Sequence, residues 1–233
     1  MRQVVLDTET TGLEARLGHR VIEIGCVELA GRRLTQRHLH RYLNPEREID
    51  EGAEAVHGLS AEFLSDKPRF AEVADELLAF VTGAEVIIHN AAFDVDFLDA
   101  ELARLGRGRF RDHAARVTDT LAMARELHPG KRNSLDALCE RYGVANQHRT
   151  LHGALLDAGL LAEVYLAMTR GQDSLVIELP TDAALEQTTE PIALERLRLV
   201  EPSPEEAAAH EAVLDSIAKE AKREPVWRAI GPG

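Results

Sequence analysis

The feature that most constrains this chain is a short apolar run that ends in two acids. Val4–Leu6 is followed by Asp7, Thr8 and Glu9, and Gly12 closes the stretch. The β-branched run predicts a strand, and the glycine predicts a turn behind it. Because side chains alternate along a strand, Asp7 and Glu9 are expected on one face, roughly 6–7 Å apart, with Thr8 on the other.

Two carboxylates at the end of a buried strand repel each other and lose hydration, so they stay ionised when a cation lies between them. Carboxylate oxygens suit Mg²⁺ or Mn²⁺. The alternative is an aspartate that caps a turn beside a solvated glutamate. For an isolated pair of this kind the alternative is the commoner case, so the metal hypothesis depends on other residues.

The composition bounds the class of protein. With 233 residues, 45% of them apolar, the chain can form one sizeable domain and an appendage. Its net charge of −13 has the wrong sign for a protein that holds long nucleic acid by itself, but a nuclease that touches only a strand end is not excluded. Cys26 and Cys139 lie in apolar stretches and are predicted to be small core residues. No segment resembles a membrane span or an apolar leader, so a cytoplasmic protein is expected.

The hydrophobic pattern predicts an α/β fold. Residues 20–29 and 34–43 alternate as strands and, with the first run, form three strands joined by short turns, which favours antiparallel neighbours. Residues 86–88 form a fourth, buried strand. Helices are predicted over 70–81, after 90, over 119–127, behind an N-cap at Ser134, and over 153–168. The region 45–68 is polar and is expected to be irregular.

Two further acids lie close to the predicted ends of secondary-structure elements. Asp94 comes just after the strand at 86–88, where a helix begins, and Asp157 follows His152 by five residues. Five residues turn a helix by roughly 500°, so His152 and Asp157 can meet only if the histidine precedes the helix and the aspartate lies in its second turn. The alternatives are a helix-start acid favoured by the helix dipole and a structural or solvated histidine.

In this order and spacing, the motifs around Asp7 and Glu9, around Asp94, and from His152 to Asp157 resemble the DEDDh 3′–5′ exonuclease family. The resemblance implies an RNase H-like fold, with a mixed five-stranded sheet whose first three strands are antiparallel and which is flanked by helices. It implies that the four acids hold two divalent ions, Mg²⁺ or Mn²⁺, about 3.5–4 Å apart, and that His152 is the general base. The product would be a 5′-mononucleotide.

The resemblance extends to residues that would contact the terminal nucleotide, and it is strongest to the proofreading branch of the family. It implies that Asp7, Glu9, His57 and Asp157 contact the substrate, a DNA 3′ end on a primer–template. The alternative for His57 is a structural histidine in a turn, before Gly58, with no role in chemistry. The family can carry a substrate-contacting glutamate five residues before this histidine. That position is Gly52 here, and the contact is left unassigned although Glu51 is adjacent.

Three segments are expected: an exonuclease domain over 1–171, a flexible acidic linker over 172–202, and a C-terminal segment over 203–233. Residues 172–205 hold eight acids and two bases. Ser203, Pro204 and Glu206 then form a capping box that predicts a helix, for which packing back on the core is the alternative to docking on a partner.

The chain also resembles proofreading subunits of bacterial replisomes, and this resemblance implies its binding partners. It implies that the C-terminal segment binds the polymerase alpha subunit, and that residues 172–177 bind the sliding clamp through Gln172, Leu175 and Ile177. The alternative for this peptide is a simple linker start. A small accessory subunit is a further candidate partner, and no membrane is expected. A stand-alone nuclease acting on RNA or single-stranded DNA and a scaffold with secondary catalysis are the competing functions.

Overall fold

A computed structural model describes residues 2–146, 151–170 and 202–229. These residues belong to two compact units, the first containing 2–170 and the second 202–229, and each is described by itself. Within the described residues, no helix has the length and apolar character that crossing a bilayer requires.

A single five-stranded sheet organises the first unit. Its order is β3-β2-β1-β4-β5; the pairs β1/β2 and β2/β3 are antiparallel, and the pairs β1/β4 and β4/β5 are parallel. The strands are β1 (Arg2–Thr10), β2 (Val21–Ala30), β3 (Arg33–Tyr42), β4 (Glu85–Ile88) and β5 (Arg116–Asp119). The predicted mixed five-stranded sheet with three antiparallel strands is confirmed.

Seven α-helices of the first unit are described beside this sheet. They are α1 (Glu51–His57), α2 (Ala61–Leu64), α3 (Phe70–Val81), α4 (Ala91–Arg104), α5 (Thr120–Leu127), α6 (Leu135–Tyr142) and α7 (Ala154–Met168). Short 3₁₀ turns occupy Ala15–Leu17 and Phe110–Asp112. Ser134 caps α6 by accepting a hydrogen bond from the amide of Ala137, as the sequence predicts.

The alternation of β1 divides the core into two layers. Val4 and Leu6 pack in one cluster with side chains of α3 and α4, whereas Val5 packs in another with Ala158 and Leu161 of α7. Helices therefore cover both faces of the sheet. Each fully buried aliphatic side chain contributes roughly 1.5–3 kcal/mol, which fixes the register of β1 and with it the positions of the acids that follow.

Gly25 brings α7 into direct contact with the sheet. It pairs with Asp7 across β1 and β2. A Cβ atom at Gly25 would lie 2.2 Å from the backbone carbon of Ala154, at the first residue of α7. The absent side chain therefore sets how closely the start of α7 approaches the acidic end of β1.

The structure departs from the sequence expectations at three places. The region 45–68, expected to be irregular, contains α1 and α2. The four-residue strand β5 precedes α5, where no strand was predicted. Helix α7 begins at Ala154, so Asp157 lies in its first turn and not in the second. Both cysteines are buried free thiols, as predicted.

The second unit contains α8 (Pro204–Ala221) and α9 (Val226–Ala229). Ser203 accepts a hydrogen bond from the amide of Glu206, whose carboxylate accepts one from the amide of Ser203, so the predicted capping box is confirmed. Arg228 of α9 pairs with Glu211 at 2.6 Å and Asp215 at 2.7 Å.

Candidate active site

The structure brings the five predicted catalytic residues to one pocket of about 290 Å³. The pocket lies where β1 and β4 end and where α4 and α7 begin. Strand ends in an α/β sheet bring side chains from several elements to one point. Its lining residues are Asp7, Thr8, Glu9, His89, Asn90, Phe93, Asp94, Ser134, Leu135, Asp136, His152 and Asp157.

Three of these side chains are close enough to share one cation. Ligand atoms of Glu9, His152 and Asp157 all lie within 4.8 Å of one another. Asp157 is 3% exposed, and a buried carboxylate of this kind favours a cationic partner. The pocket also contains Asp7 and Asp94, so its donors are mainly carboxylate oxygens, which are the ligands that Mg²⁺ and Mn²⁺ prefer. The residues present therefore fit a divalent metal.

Asp94 is fixed to the first strand by Thr8. The amide and the hydroxyl of Thr8 donate hydrogen bonds to Oδ1 of Asp94, at 3.1 and 2.8 Å. Burial raises the pKa of Asp94 to about 7, although the hydrogen bonds from Thr8 oppose the shift. The sequence placed Thr8 on the face away from the acids and did not reveal this contact.

His152 lies in the segment before α7, as its spacing from Asp157 requires. Its amide donates a hydrogen bond to the carbonyl oxygen of Val56 at 3.1 Å, which ties this segment to α1. Its Nδ1 lies 3.6 Å from Oδ2 of Asp157, and its side chain is 45% exposed. The imidazole thus has a carboxylate on one side and access to solvent on the other, an arrangement suited to proton transfer.

His57 is the last residue of α1 and is not among the residues that line the pocket. It is 5% exposed, and its Nδ1 accepts a hydrogen bond from the amide of Leu59 at 3.0 Å. Burial lowers the pKa of His57, against the opposing charge of Glu54. Its predicted contact with substrate stays a prediction.

The loop after β1 contains contacts that no motif or spacing in the sequence predicts. Thr11 Oγ1 lies 3.0 Å from Nδ1 of His19, and Nε2 of His19 lies 3.5 Å from a carboxylate oxygen of Asp50. A Cβ atom at Gly12 would lie 2.3 Å from the His19 ring. The imidazole therefore occupies the space that the missing side chain leaves, and it fixes the loop beside the acids.

A second unpredicted contact lies where β4 leads into α4. Asn90 has a φ of 64°, in the left-handed region, and its amide donates to Oδ1 of Asp119 at 3.2 Å. The same Asp119 oxygen caps α5 by accepting from the amide of Leu121 at 2.8 Å. One carboxylate thus orients the start of α4, which lines the pocket, and the start of α5 beside it.

The predicted clamp-binding residues, Gln172, Leu175 and Ile177, lie outside the described residues, as does nearly all of the predicted linker. The domain boundaries at 171 and 202 therefore stay predictions. In the C-terminal segment, the structure describes the residues from 203 to 229.

Comparison with known proteins defines the class. A family model described as Exonuclease (RNase_T) matches residues 4–165, so the chain belongs to this exonuclease family. The DNA polymerase III subunit epsilon of Escherichia coli K12 is 51% identical over 238 residues, covering 98% of both chains. The corresponding subunit of Pasteurella multocida is 48% identical, covering 97% of this chain and 93% of its own.

Solved structures show the same fold. Exonuclease X in complex with 5′ overhanging duplex DNA matches with a TM-score of 0.57 and 24% identity, over 73% of this chain and 92% of that one. The nuclease domain of 3′hExo, a DEDDh family member bound to rAMP, matches with a TM-score of 0.62 and 17% identity over the same shares. The DEDDh exonucleases depend on a divalent metal.

Proposed function

We propose that the chain is the proofreading 3′–5′ exonuclease subunit of a bacterial replicative DNA polymerase, the polymerase III complex, and that it works in the cytoplasm at the replication fork. It would remove mispaired 3′-terminal nucleotides of a primer–template as 5′-mononucleotides. The observation that carries the proposal is the convergence of Glu9, His152 and Asp157 within 4.8 Å, in a pocket that Asp7 and Asp94 also line.

We assign Asp7, Glu9, Asp94 and Asp157 as ligands of two Mg²⁺ or Mn²⁺ ions. When bound, such ions activate water and stabilise the charge that develops on the phosphoryl group and on the leaving 3′ oxygen. Thr8 holds Asp94 in place through its amide and hydroxyl. The acids lie on rigid strand and helix ends, so ligand positions change little when substrate arrives.

His152 is the general base in this proposal. Its Nδ1 faces the carboxylate of Asp157, at 3.6 Å, and we assign Nε2 to accept the proton of the attacking water. The tie between the His152 amide and Val56 limits how far the imidazole can move. We further assign Asp7, Glu9, Asp157 and His57 to contacts with the terminal nucleotide.

The C-terminal segment is the proposed contact with the polymerase alpha subunit. Its side chains Val213, Ile217, Val226 and Trp227 are 57%, 44%, 64% and 72% exposed. Exposed apolar residues on a short helical element favour docking on a partner surface. We retain residues 172–177 as the proposed clamp-binding peptide and a small accessory subunit as a further partner, on the resemblance alone.

The test of the catalytic proposal is cleavage of a 3′-labelled, mispaired primer–template by the full chain, with Mg²⁺ and with EDTA. We compare the wild type with His152→Ala and with His38→Ala, an exposed histidine on β3 that serves as the matched control. Metal-dependent release of single nucleotides that only His152→Ala reduces would support the proposal. Trimming of an RNA oligomer without release from DNA would contradict proofreading.

The test of the partner proposal uses Trp227→Ala in the full chain. We expect loss of co-elution with the polymerase alpha subunit and unchanged nuclease activity of the isolated chain. Val213→Ala, on α8, measures what a smaller apolar contact contributes. Co-elution that survives Trp227→Ala and Val213→Ala combined would contradict this assignment.

A further inference from the structure

Three cations lie beside the carboxylate pocket without a carboxylate of their own. Among the residues that the structure describes, Arg125, Lys131 and Arg132 form no ion pair, whereas Arg20 and Arg116 are paired with buried glutamates. All three are exposed. In a chain of net charge −13, this is a local positive surface at one edge of the candidate site.

The positive surface is continuous with the carboxylate pocket. Arg125 and Lys131 line a second pocket of about 390 Å³, which shares His89 and Ser134 with the carboxylate pocket. Lys131 and Arg132 line a third pocket, of about 540 Å³, next to the second, together with Arg141 and one acid, Glu140. A path of shared lining residues therefore leads from the acids to the three cations.

The field of Arg125 reaches that shared boundary. Burial lowers the pKa of His89, and the charge of Arg125 adds to the effect, while the charge of Asp119 opposes it. His89 is held in place by Thr120, whose hydroxyl lies 3.0 Å from its Nδ1. The boundary between the two pockets is thus a fixed side chain that lies within the influence of a positive charge.

The loop that presents the other two cations is braced. Arg141 donates hydrogen bonds to Oδ1 of Asn133 at 3.1 Å and to the carbonyl of Arg132 at 2.7 Å. The amide of Lys131 donates to the carbonyl of His128 at 3.2 Å. The backbone at Lys131 and Arg132 is therefore fixed while both side chains extend to solvent, as a preorganised anion contact requires.

We propose that Arg125, Lys131 and Arg132 bind the backbone phosphates of the cleaved DNA strand, upstream of the 3′-terminal nucleotide in the carboxylate pocket. This inference rests on the proposed function and specifies where the strand runs. Away from its bound cations, the acidic surface around the carboxylate pocket repels a polyanion within about a Debye length. Adjacent unpaired cations offset that repulsion where the strand leaves the pocket.

The test measures cleavage by the full chain, with Mg²⁺, of single-stranded DNA of two, four and eight nucleotides. The p-nitrophenyl ester of thymidine 5′-monophosphate serves as a substrate without an upstream backbone. The variant is R125A/K131A/R132A. The matched control is R33A/R104A/R111A, which removes the same charge at exposed arginines that form no ion pair within the described part of the chain.

For the eight-nucleotide strand, we expect the triple variant to raise KM about tenfold or more. The ratio of kcat/KM for this strand to kcat/KM for the ester should fall by the same factor. Because each neutralised phosphate of a single strand contributes about 0.7 to the slope of log affinity against log salt, three lost contacts should reduce the slope by about 2. The control should keep the wild-type ratio and slope.

The outcomes separate the two proposals. If the wild type cleaves the eight-nucleotide strand and R125A/K131A/R132A matches the control in ratio and slope, the phosphate subsite is wrong and the proposed function stands. If the wild type cleaves neither DNA nor the ester with Mg²⁺, the proposed function is wrong and the subsite with it. Thermal melting of both triple variants, within a few degrees of wild type, shows that the comparison is between folded proteins.

Discussion

Glu85 is the first residue of β4 and Asp94 lies in the first turn of α4, and both are buried, at 1% and 3% exposure. Glu85 accepts hydrogen bonds from Arg116 and from the hydroxyl of Thr118, at 2.6 Å for the latter. Asp94 accepts its bonds from the neutral amide and hydroxyl of Thr8. Burial tends to raise the pKa of Glu85, but its hydrogen bonds lower it below the usual value, whereas burial raises the pKa of Asp94 to about 7.

Glu28 of β2 follows the pattern of Glu85. Glu28, near the same end of the sheet, accepts from Arg2 at 2.6 Å and from Arg37 at 2.9 Å, and the bond from Arg2 is the largest cause that lowers the pKa of Glu28. Glu28 and Glu85 thus each receive a guanidinium from within the chain. Asp94 is bonded by neutral donors instead, which supports its proposed role as a metal ligand.

The contrast between the acids of the candidate site and the acids paired with arginine predicts its largest effect on catalysis. We expect Asp7→Ala to lower exonuclease activity about 10³-fold or more, because a metal that supplies several kcal/mol of transition-state stabilisation is lost. Single-turnover cleavage of a labelled primer measures it. Glu85→Gln is the control at the opposite end of the sheet and should stay within about twofold of wild type. Wild-type rates in purified Asp7→Ala would end the metal assignment.

Gly25→Ala should have the next largest effect. The new methyl group would lie 2.2 Å from the backbone of Ala154, so α7 must shift and carry Asp157 with it. We expect a loss of activity on the order of 10–10²-fold and a destabilisation of about 1–3 kcal/mol. Denaturant titration and cleavage assays measure the two.

The matched substitution for Gly25→Ala is Gly159→Ala, within α7. A Cβ atom there meets nothing within 4 Å. Alanine favours a helix over glycine by about 0.5–1 kcal/mol, so this variant should be as stable as the wild type or more so, with activity retained. Equal losses in both variants would show that the close approach at Gly25 has no special role.

Glu85→Gln should destabilise the fold without affecting the chemistry. Arg116 is itself exposed, but the buried Glu85 carboxylate accepts hydrogen bonds from Arg116, Thr118 and Gln3, and an amide cannot accept all of them. We therefore expect a loss of about 1–3 kcal/mol. Because the folded pKa of Glu85 is depressed, its contribution is present above the unfolded pKa and disappears as the pH falls through the folded value. The difference from wild type should therefore shrink on acidification. A difference that grew instead would contradict the lowered pKa of Glu85.

Asp94→Asn should show the opposite pH dependence in EDTA. The folded pKa of Asp94, about 7, lies above its unfolded value of 3.8, so the stabilising proton is lost as the pH rises through 7. We expect the excess stability of the variant to be smaller at pH 5 than at pH 8, because the penalty on wild type grows between the unfolded pKa of 3.8 and the folded pKa of about 7, and to reach about 1–3 kcal/mol at pH 8. Thermal melts at both pH values measure this smallest effect, and equal stability at pH 8 would contradict it.

Much of the candidate site could be predicted from the sequence because its residues sit where regular elements end. An apolar run before Asp7, another before Asp94, and the five-residue step from His152 to Asp157 each follow local periodicity. Strand β5 could not be found in this way, since Arg116–Asp119 contains one large apolar residue. Helix α1 was missed because it is short and mainly polar.

The contacts that shift the pKa values of Asp94 and Glu85 could not be predicted from the sequence, for a different reason. Thr8 and Asp94 are 86 residues apart, and Glu85 and Arg116 are 31 apart. Nothing in the residue types decides which acid meets a guanidinium and which meets a hydroxyl. The close approach of Gly25 to Ala154 likewise depends on a helix that begins more than a hundred residues later in the chain.

That close approach has a consequence for local motion. The first turn of α7 rests directly on the backbone of β2, so it can open only when the sheet beneath it separates. The amide hydrogen of Asp157, which donates to the carbonyl oxygen of Gly153 at 2.8 Å, should therefore exchange with solvent only on global unfolding, and more slowly than the amides of the short helix α2. Asp157, in this turn, should therefore keep its position on heating for as long as the sheet stays folded. Loss of activity and unfolding should then occur at the same temperature.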